Sequence, residues 1–579
     1  MAHLGIDLGT SNTLVALVTA GGQPVLEEID NDRMVPSVVY LEAEGGNPVV
    51  GKAALDMWAD PGYDPVRSFR RWKLAMGTGG ELARLELGSG ADPLAVTPEF
   101  LTTCLVEYVV GQLGGLGGDA VESVLVTVPH GWRRGGAEKV RATRRAAEAA
   151  QVGGLPLPIQ RRTVSEPVAA AAYWLWTAGE AGQSTEMEGR TLLVCDLGGG
   201  TFDLSLVRVG TADQPLDVVG AVHGDAAGDY ADALLCAWVG RQLSGPAGGV
   251  APDTAEGVLE ALAAGDPPWL RRWFVRAQQL KHDLSLRAER ARGPVEGVKP
   301  VRAEFAGQGT AGTVELGVRE MEEVLEPFYR RGRELVTSFL SGRGEPPYAM
   351  AFAGGGSRIR GVRHRIVEPA LRELYGEAEA AAVLRRIRVA EGRLDQAIAL
   401  GAALIANGVV RVTERLLHDV GIVGCVPPPL AAALKLENPH EPILVSPVLA
   451  RGTELPSSVG SETLRIVTSA DPGERLLVRV VVEDDMHDPW MQAWELPHPG
   501  RGRRQSLAWW LEADADGELT VRLATPSGER AELTGTLHRG AAAGSAGLTF
   551  GTGEGSPYPR VTPDTFQKAL ESITPTADD

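Results

Sequence analysis

Cysteine is scarce in this 579-residue chain, with Cys104, Cys195, Cys236 and Cys425 far apart and in no C-x-x-C pair. That excludes a zinc ribbon and a dense disulfide framework, and points to a reducing, cytoplasmic compartment. Cys195 lies inside an apolar run and reads as a small core residue. Positive charge is also short. Lys and Arg number 56 against 75 Asp and Glu, a net charge of −19. Sequence-independent nucleic-acid binding needs a basic surface, so no nucleic-acid partner is expected. No apolar run reaches the ~20 residues that span a bilayer. Met1 leads straight into a strand, without the basic start and apolar core of a signal peptide. No membrane partner is expected either.

What is present begins with two related stretches. Residues 1–15 read MAHLGIDLGTSNTLV, and residues 191–207 read TLLVCDLGGGTFDLSLV. Each is an apolar strand ending in Asp, then Leu-Gly, a small-residue turn and a second apolar strand. Glycines let backbone N–H groups approach an anion, and Thr and Ser hydroxyls add donors. Asp7 and Asp196 cannot bind phosphate themselves, so they are assigned to a hydrated Mg²⁺. Either stretch alone is an ordinary hairpin. Together they suggest two similar lobes facing one nucleotide.

Between them the chain alternates strands and helices. Ile29–Leu41 reads as a turn followed by a strand. Arg67–Gly80 is a basic segment holding Lys73, whose charges could simply line a solvated face. Pro98–Gly114 reads as an amphipathic helix, Glu122–Pro129 as a buried strand and Gly136–Val152 as a helix. Glu166 stands at a strand–helix junction, with Pro167 suited to the first turn. The pattern β-β-β-α-β-α is that of an α/β domain. Beyond Thr191, Pro268–Ser285 repeats apolar residues at helical spacing: Leu270, Phe274, Ala277, Leu280 and Leu284. Pro347–Ile366 is a strand, a triple-glycine turn and a helix start, and Leu394–Val410 an apolar helix. From about residue 411 the character changes. Pro427–Pro429 is read as a break, and short β-branched segments then suggest an all-β sandwich. Residues 540–560 are Gly/Ala/Ser-rich, and a short helix is expected at 562–573.

The order GIDLGTSNT, VPSVVYL, VTVP, SEPVAAAAY, DLGGGTFDLSLV, GGGSRI, LDQAIALGAA resembles the 70-kDa heat-shock chaperones. These belong to the actin, sugar-kinase and chaperone ATPase superfamily. The resemblance is close over residues 1–410 and looser over 411–538. It implies an α/β actin-like ATPase domain with a duplicated βββαβα core, in lobes of about 1–190 and 191–410. An interdomain linker at 411–423, a β-sandwich at 424–538 and a flexible tail at 539–579 would follow. It implies ATP/ADP and Mg²⁺ as cofactors. Asp7 and Asp196 would hold the metal through water. Gly9, Thr10, Ser11 and Asn12 would form one phosphate loop, and Gly198, Gly199, Gly200 and Thr201 the other. Lys73 would orient the attacking water, although one extra residue separates it from Phe69, and Glu166 would help organise metal and water. Asp196 and Thr201 join these two as the catalytic set. Pro129 would relay nucleotide state. Lys281, Ser285, Gly354, Gly355, Ser357, Arg358 and Asp395 would contact the nucleoside.

Several positions depart from the family pattern. Gln278 stands for a Glu, Asp229 for a Glu, Tyr230 for an Asp and Arg360 for a proline. The PPP at 427–429 replaces a glycine turn, and no counterpart of the helical lid is seen. The resemblance implies slow ATP hydrolysis gating a β-domain that binds unfolded or extended polypeptide, with a J-domain-type co-chaperone and an exchange factor as partners. The alternatives are a nucleotide switch with one dedicated protein partner and, ranked last, a small-molecule kinase of the same superfamily.

Overall fold

The computed structural model describes residues 2–579 apart from 20–21, 61, 88–91, 114–120, 133–136, 181–183, 211–215, 244–251, 265–267, 291–296, 308–309, 360, 387–394, 413–415, 417–418, 425–427, 439–441, 468–474, 485–486, 498–505, 517–518, 525–529, 536–547, 550–558 and 574–579. Arg360, Leu417, Pro427 and most of 540–560 therefore lie outside the described residues. The chain divides into two units. One is Met1–His130 with Ala142–Val412; the other is Gly131–Arg141 with Thr413–Asp579.

The first unit repeats one plan twice. Ala2–Leu8 pairs antiparallel with Asn12–Val18, which pairs with Pro24–Leu26. On the other side Val121–Val128 lies parallel to Ala2–Leu8, and Val164–Ser165 lies parallel to that. In the second sheet Thr191–Leu197 pairs antiparallel with Phe202–Arg208, which pairs with Asp217–Gly224. Ala349–Ala353 lies parallel to Thr191–Leu197. The inner strands are buried along almost their whole length, with helix Ala397–Asn407 packed on the first sheet.

Two small-residue contacts set the spacing of this core. Helix Ala397–Asn407, buried through Ala406, packs against helix Glu166–Glu180 and across Ala2–Leu8. A Cβ on Gly401 would overlap the Ala169 carbonyl, and one on Gly5 would overlap the Ala403 amide. The alanine run after Glu166 is thus a packing surface as well as a good helix former.

Each lobe carries an insertion. The first holds Val38–Tyr40 between Val49–Val50 and Ser68–Arg70, with helix Lys52–Ala59. The basic segment is no helix: after Ser68–Arg70 comes one tight 3-10 turn, Trp72–Ala75. The second insertion holds helices Gly228–Leu243, Ala255–Ala264 and Pro268–Arg290 and the hairpin Val301–Gly307/Thr310–Leu316. The helix expected to stop at Ser285 runs on to Arg290, since nothing there breaks it and Ala288 extends its buried face.

The second unit contains two sheets. One runs Leu548–Thr549, His487–Pro497, Arg475–Asp484, Asp419–Gly424, Ile443–Leu449, Arg560–Val561 in that order, and the other Ser457–Val467, Ser506–Ala513, Leu519–Ala524, Arg530–Gly535. Three features differ from expectation. Asp419–Gly424, inside the stretch expected as linker, is a central strand paired on both sides. Leu416 is buried, and its backbone bonds to Thr453 and Gly452. Pro428 and Pro429 open a helix, Pro428–Ala433, rather than breaking structure, because proline's fixed φ suits a first turn. The tail, expected to be flexible with a short helix, also holds a strand, Arg560–Val561. Arg560–Val561 lies parallel to Leu444–Val445, and helix Pro563–Ile573, entered through Thr562, packs on Pro428–Ala433. Among the described residues no helix is long and apolar enough to cross a membrane.

Candidate nucleotide site

Both hairpins place an Asp at the penultimate strand position, followed by a tight turn. The first turn is braced from outside. Ser37 Oγ donates to Gly9 O at 2.8 Å, Ser37 N donates to Ser11 O at 2.9 Å, and Thr13 Oγ1 lies 3.0 Å from Ser37 Oγ. Asn12 begins the return strand opposite Pro36. The second turn is held largely by backbone bonds. Gly198 N donates to Thr201 O at 3.0 Å, Gly228 N to Gly198 O at 2.9 Å and Asp229 N to Gly199 O at 2.7 Å. The two turns meet. A Cβ on Gly199 would collide with the Ser11 side chain, and one on Gly200 would press on Thr10 Cγ2 at 3.2 Å. Glycine in one loop makes room for hydroxyl side chains of the other.

Charge gathers beneath the loops. Lys73 Nζ lies 2.7 Å from Glu166 Oε1, and both side chains are nearly buried. The tight turn Trp72–Ala75 delivers the lysine; the strand–helix junction delivers the glutamate. Thr127 Oγ1 donates to Asp7 Oδ1 at 3.4 Å. Asp203, which the sequence reading did not single out, stands directly opposite Asp196 and accepts from Thr201 Oγ1 at 2.6 Å. Burial first, and the Glu166 charge next, push the Asp7 and Asp203 carboxyls up to about 7. Asp196 is raised for the same reasons, with Asp203 and Asp7 adding repulsion. Four carboxylates thus share one lysine. A bound divalent cation would relieve that repulsion. Among the described residues no three acidic, His or Cys side chains converge closely enough to grip a bare ion. The arrangement fits a magnesium ion held through its water shell.

The expected nucleoside residues lie on one helix face, one turn and, for Asp395, just ahead of helix Ala397–Asn407. Lys281, Ser285 and Glu289 recur at four-residue spacing on Pro268–Arg290. Arg358 bridges Glu289, at 3.1 Å, and Asp395, at 2.5 Å. Ser357 Oγ donates to Ala353 O at 2.5 Å. Ser285 Oγ is buried and has no hydrogen-bond partner among the described residues. Such an orphaned hydroxyl is what a ligand contact would satisfy. Lys281 is differently placed: it pairs with Asp232 at 2.7 Å and donates to Gly228 O at 3.3 Å, so its charge is turned toward the second loop. Gly354 has φ 76°, and a Cβ there would meet Asp196 Oδ1 at 2.6 Å. The turn that starts Gly354–Gly355 therefore sits directly on Asp196 and Leu197. Pro129 is half-buried at the end of Val121–Val128.

Asp203 had a signal. It lies seven residues after Asp196, which a four-residue hairpin turn converts to a facing pair. Glu289 had none beyond its spacing from Ser285.

A family model described as Hsp70 protein matches residues 3–79 and 83–254. A chaperone protein HscA homolog from Acidithiobacillus ferrooxidans is 27% identical over 566 residues, covering 92% of this chain and 77% of the relative. The chain belongs to the Hsp70 family. Chaperone protein DnaK of Thermus thermophilus is 25% identical over 448 residues, 72% of this chain and 62% of that protein. An HscA homolog from Bordetella petrii is 30% identical over 422 residues, 70% and 57% respectively. Membership gives the first unit its fold, the Hsp70 actin-like ATPase fold with mixed sheets, and makes the chain an ATP-binding, chaperone-like ATPase. Hsp70 proteins in general bind polypeptide substrates and co-chaperones.

Proposed function

We propose that this Hsp70-family chain hydrolyses ATP slowly in the cleft between its two hairpins and uses the nucleotide state to gate polypeptide binding by its β unit, arranged as a sandwich. The observation that carries the reading is the Lys73–Glu166 pair at 2.7 Å, set among Asp7, Asp196 and Asp203 under two abutting glycine turns. Thr10, Ser11 and Asn12 with Gly198–Thr201 cradle the phosphates. Lys73 supplies a positive charge where negative charge develops, and Glu166 fixes the direction in which that ammonium points. Thr201, locked onto Asp203, keeps the second loop in register. Asp7 and Asp196 hold the hydrated Mg²⁺, which when bound neutralises phosphate charge. Ser285, Gly354, Gly355, Ser357, Arg358 and Asp395 line the nucleoside side, with Lys281 nearer the phosphates.

The test is ATP turnover by the full chain with and without Mg²⁺, together with binding of an unfolded polypeptide in ATP and in ADP. Magnesium-dependent turnover and nucleotide-dependent binding are expected. Turnover without nucleotide-dependent polypeptide binding would replace the client role with a dedicated protein partner, and phosphate transfer to a sugar or glycerol would replace it with a kinase.

A further inference from the structure

The segment that delivers Lys73 carries a second cation that the proposed reaction leaves unused. Arg71 adopts φ 58° and ψ 15°, the left-handed region that non-glycine residues avoid. Strain of this kind persists where the surroundings enforce it, and it concentrates at functional sites. Here the next residue enforces it, since Trp72 is buried and its Nε1 donates to Thr102 Oγ1 at 3.1 Å.

The Arg71 side chain reaches the phosphate loops. Its Nε lies 3.2 Å from Asp229 Oδ2, yet that buried N–H makes no well-directed hydrogen bond. Asp229 is itself fastened to the second loop through its amide, which donates to Gly199 O. Its other carboxylate oxygen accepts from Ser11 Oγ at 3.5 Å, the long limit of a hydrogen bond. The neighbouring cations are committed elsewhere. Arg70 stacks over Trp58 at 4.3 Å, and Lys281 pairs with Asp232. Arg71 alone among these rests on a poorly directed partner, and that partner, Asp229, meets Ser11 of the first loop.

We propose that Arg71 reads the terminal phosphate of a nucleoside triphosphate, with Asp229 parking its guanidinium beside Ser11 until that phosphate arrives. The inference rests on the ATPase reading of the same cleft. A guanidinium binds phosphate through two parallel N–H bonds. The γ-phosphate carries more charge than one carboxylate and draws Arg71 away from Asp229; a diphosphate has no phosphate at that position. Arg71 then discriminates triphosphate from diphosphate without moving a proton.

The test uses the full chain with Mg²⁺ and titrates a non-hydrolysable ATP analogue and ADP by calorimetry. Arg71→Gln should weaken the triphosphate about tenfold, roughly 1.4 kcal/mol, and leave ADP within about threefold, about 0.7 kcal/mol on the same scale. Arg71→Gly, which relieves the backbone strain and so protects the fold, should do the same. Equal losses for both nucleotides, or no loss in either variant, overturn the assignment. Wild-type protein that binds neither nucleotide overturns the ATPase reading and this inference together; wild-type binding with silent Arg71 variants overturns only the inference.

Discussion

The two hairpins of the first unit share a strand plan and divide the work of an anion cradle unequally. The turn after Asp7 carries its donors on side chains, Thr10, Ser11 and Asn12, and is braced by Ser37. The turn after Asp196 is bare backbone over Gly198–Gly200, braced by Gly228 and Asp229. Opposite Asp7 stands Leu14, whereas opposite Asp196 stands Asp203. One hairpin therefore contributes one carboxylate to the cluster and the other contributes two. A duplicated frame can interlock only if the copies diverge: the side chains of the first loop occupy space that glycines in the second leave open.

Four measurements can break or sharpen this contrast. The largest effect is expected where both hairpins depend on one group. Lys73→Ala should lower single-turnover ATP hydrolysis about 10²–10³-fold, the usual loss for one electrostatic stabiliser. Thr201→Ala, which disturbs only the second loop, should cost less. Turnover unaffected by both substitutions would remove the mechanism.

The next effect is structural and confined to the second hairpin. Gly354→Ala forces a left-handed residue against Asp196 and Leu197 and should cost about 1–3 kcal/mol in denaturant unfolding. Gly355→Ala, one residue on with open space around it, should cost under about 1 kcal/mol. Equal costs would mean that the turn does not rest on Asp196.

The third is a pH dependence. In the fold Asp7 and Asp203 titrate near 7 against an ordinary 3.8. The native protein thus keeps protons that the unfolded chain releases. This contribution to stability is complete below about pH 4 and is lost as pH rises through about 7. Thermal unfolding of the nucleotide-free protein should shift downward across that window. Mg²⁺ with ADP should flatten the slope, because a cation favours the charged carboxylates. A slope unchanged by Mg²⁺–ADP would argue against a metal near these groups.

The smallest effect separates the hairpins directly. Asp203→Asn should raise the melting temperature of the nucleotide-free protein at pH 8 by about 2–4 °C, corresponding to ~1 kcal/mol. It removes a charge facing Asp196. Asp7→Asn, with Leu14 opposite, should raise it less. The reverse order would show that register repulsion is not the deciding term.

Legibility from sequence tracked the range of each interaction. The Asp-Leu-Gly turns were visible because phosphate cradling is a short-range pattern of glycine and hydroxyl residues. Glu166 stood out as a strand–helix junction, but its place in the site came only through the family resemblance. Lys73 was harder, with an extra residue after Phe69 blurring its register and only the tight turn at Trp72 aiming it at Glu166. Asp203 required knowing that a four-residue turn makes two aspartates face each other. The strand Asp419–Gly424 read as linker because its pairing partners lie at Ile443–Leu449 and Arg475–Asp484, far along the chain. The parallel pairing of Arg560–Val561 left no local sign at all.

Local chemistry, then, was written in the chain: which turns can hold an anion, which strands are buried on both faces, where helices begin. Strand pairing and charge balance were decided in three dimensions. Pairing is chosen by which edge is free after the core has packed, and burial sets the carboxyl affinities for protons. Neither quantity belongs to a segment. The contact between Ser11 and Gly199, residues of two hairpins far apart in the chain, likewise belongs to neither segment alone.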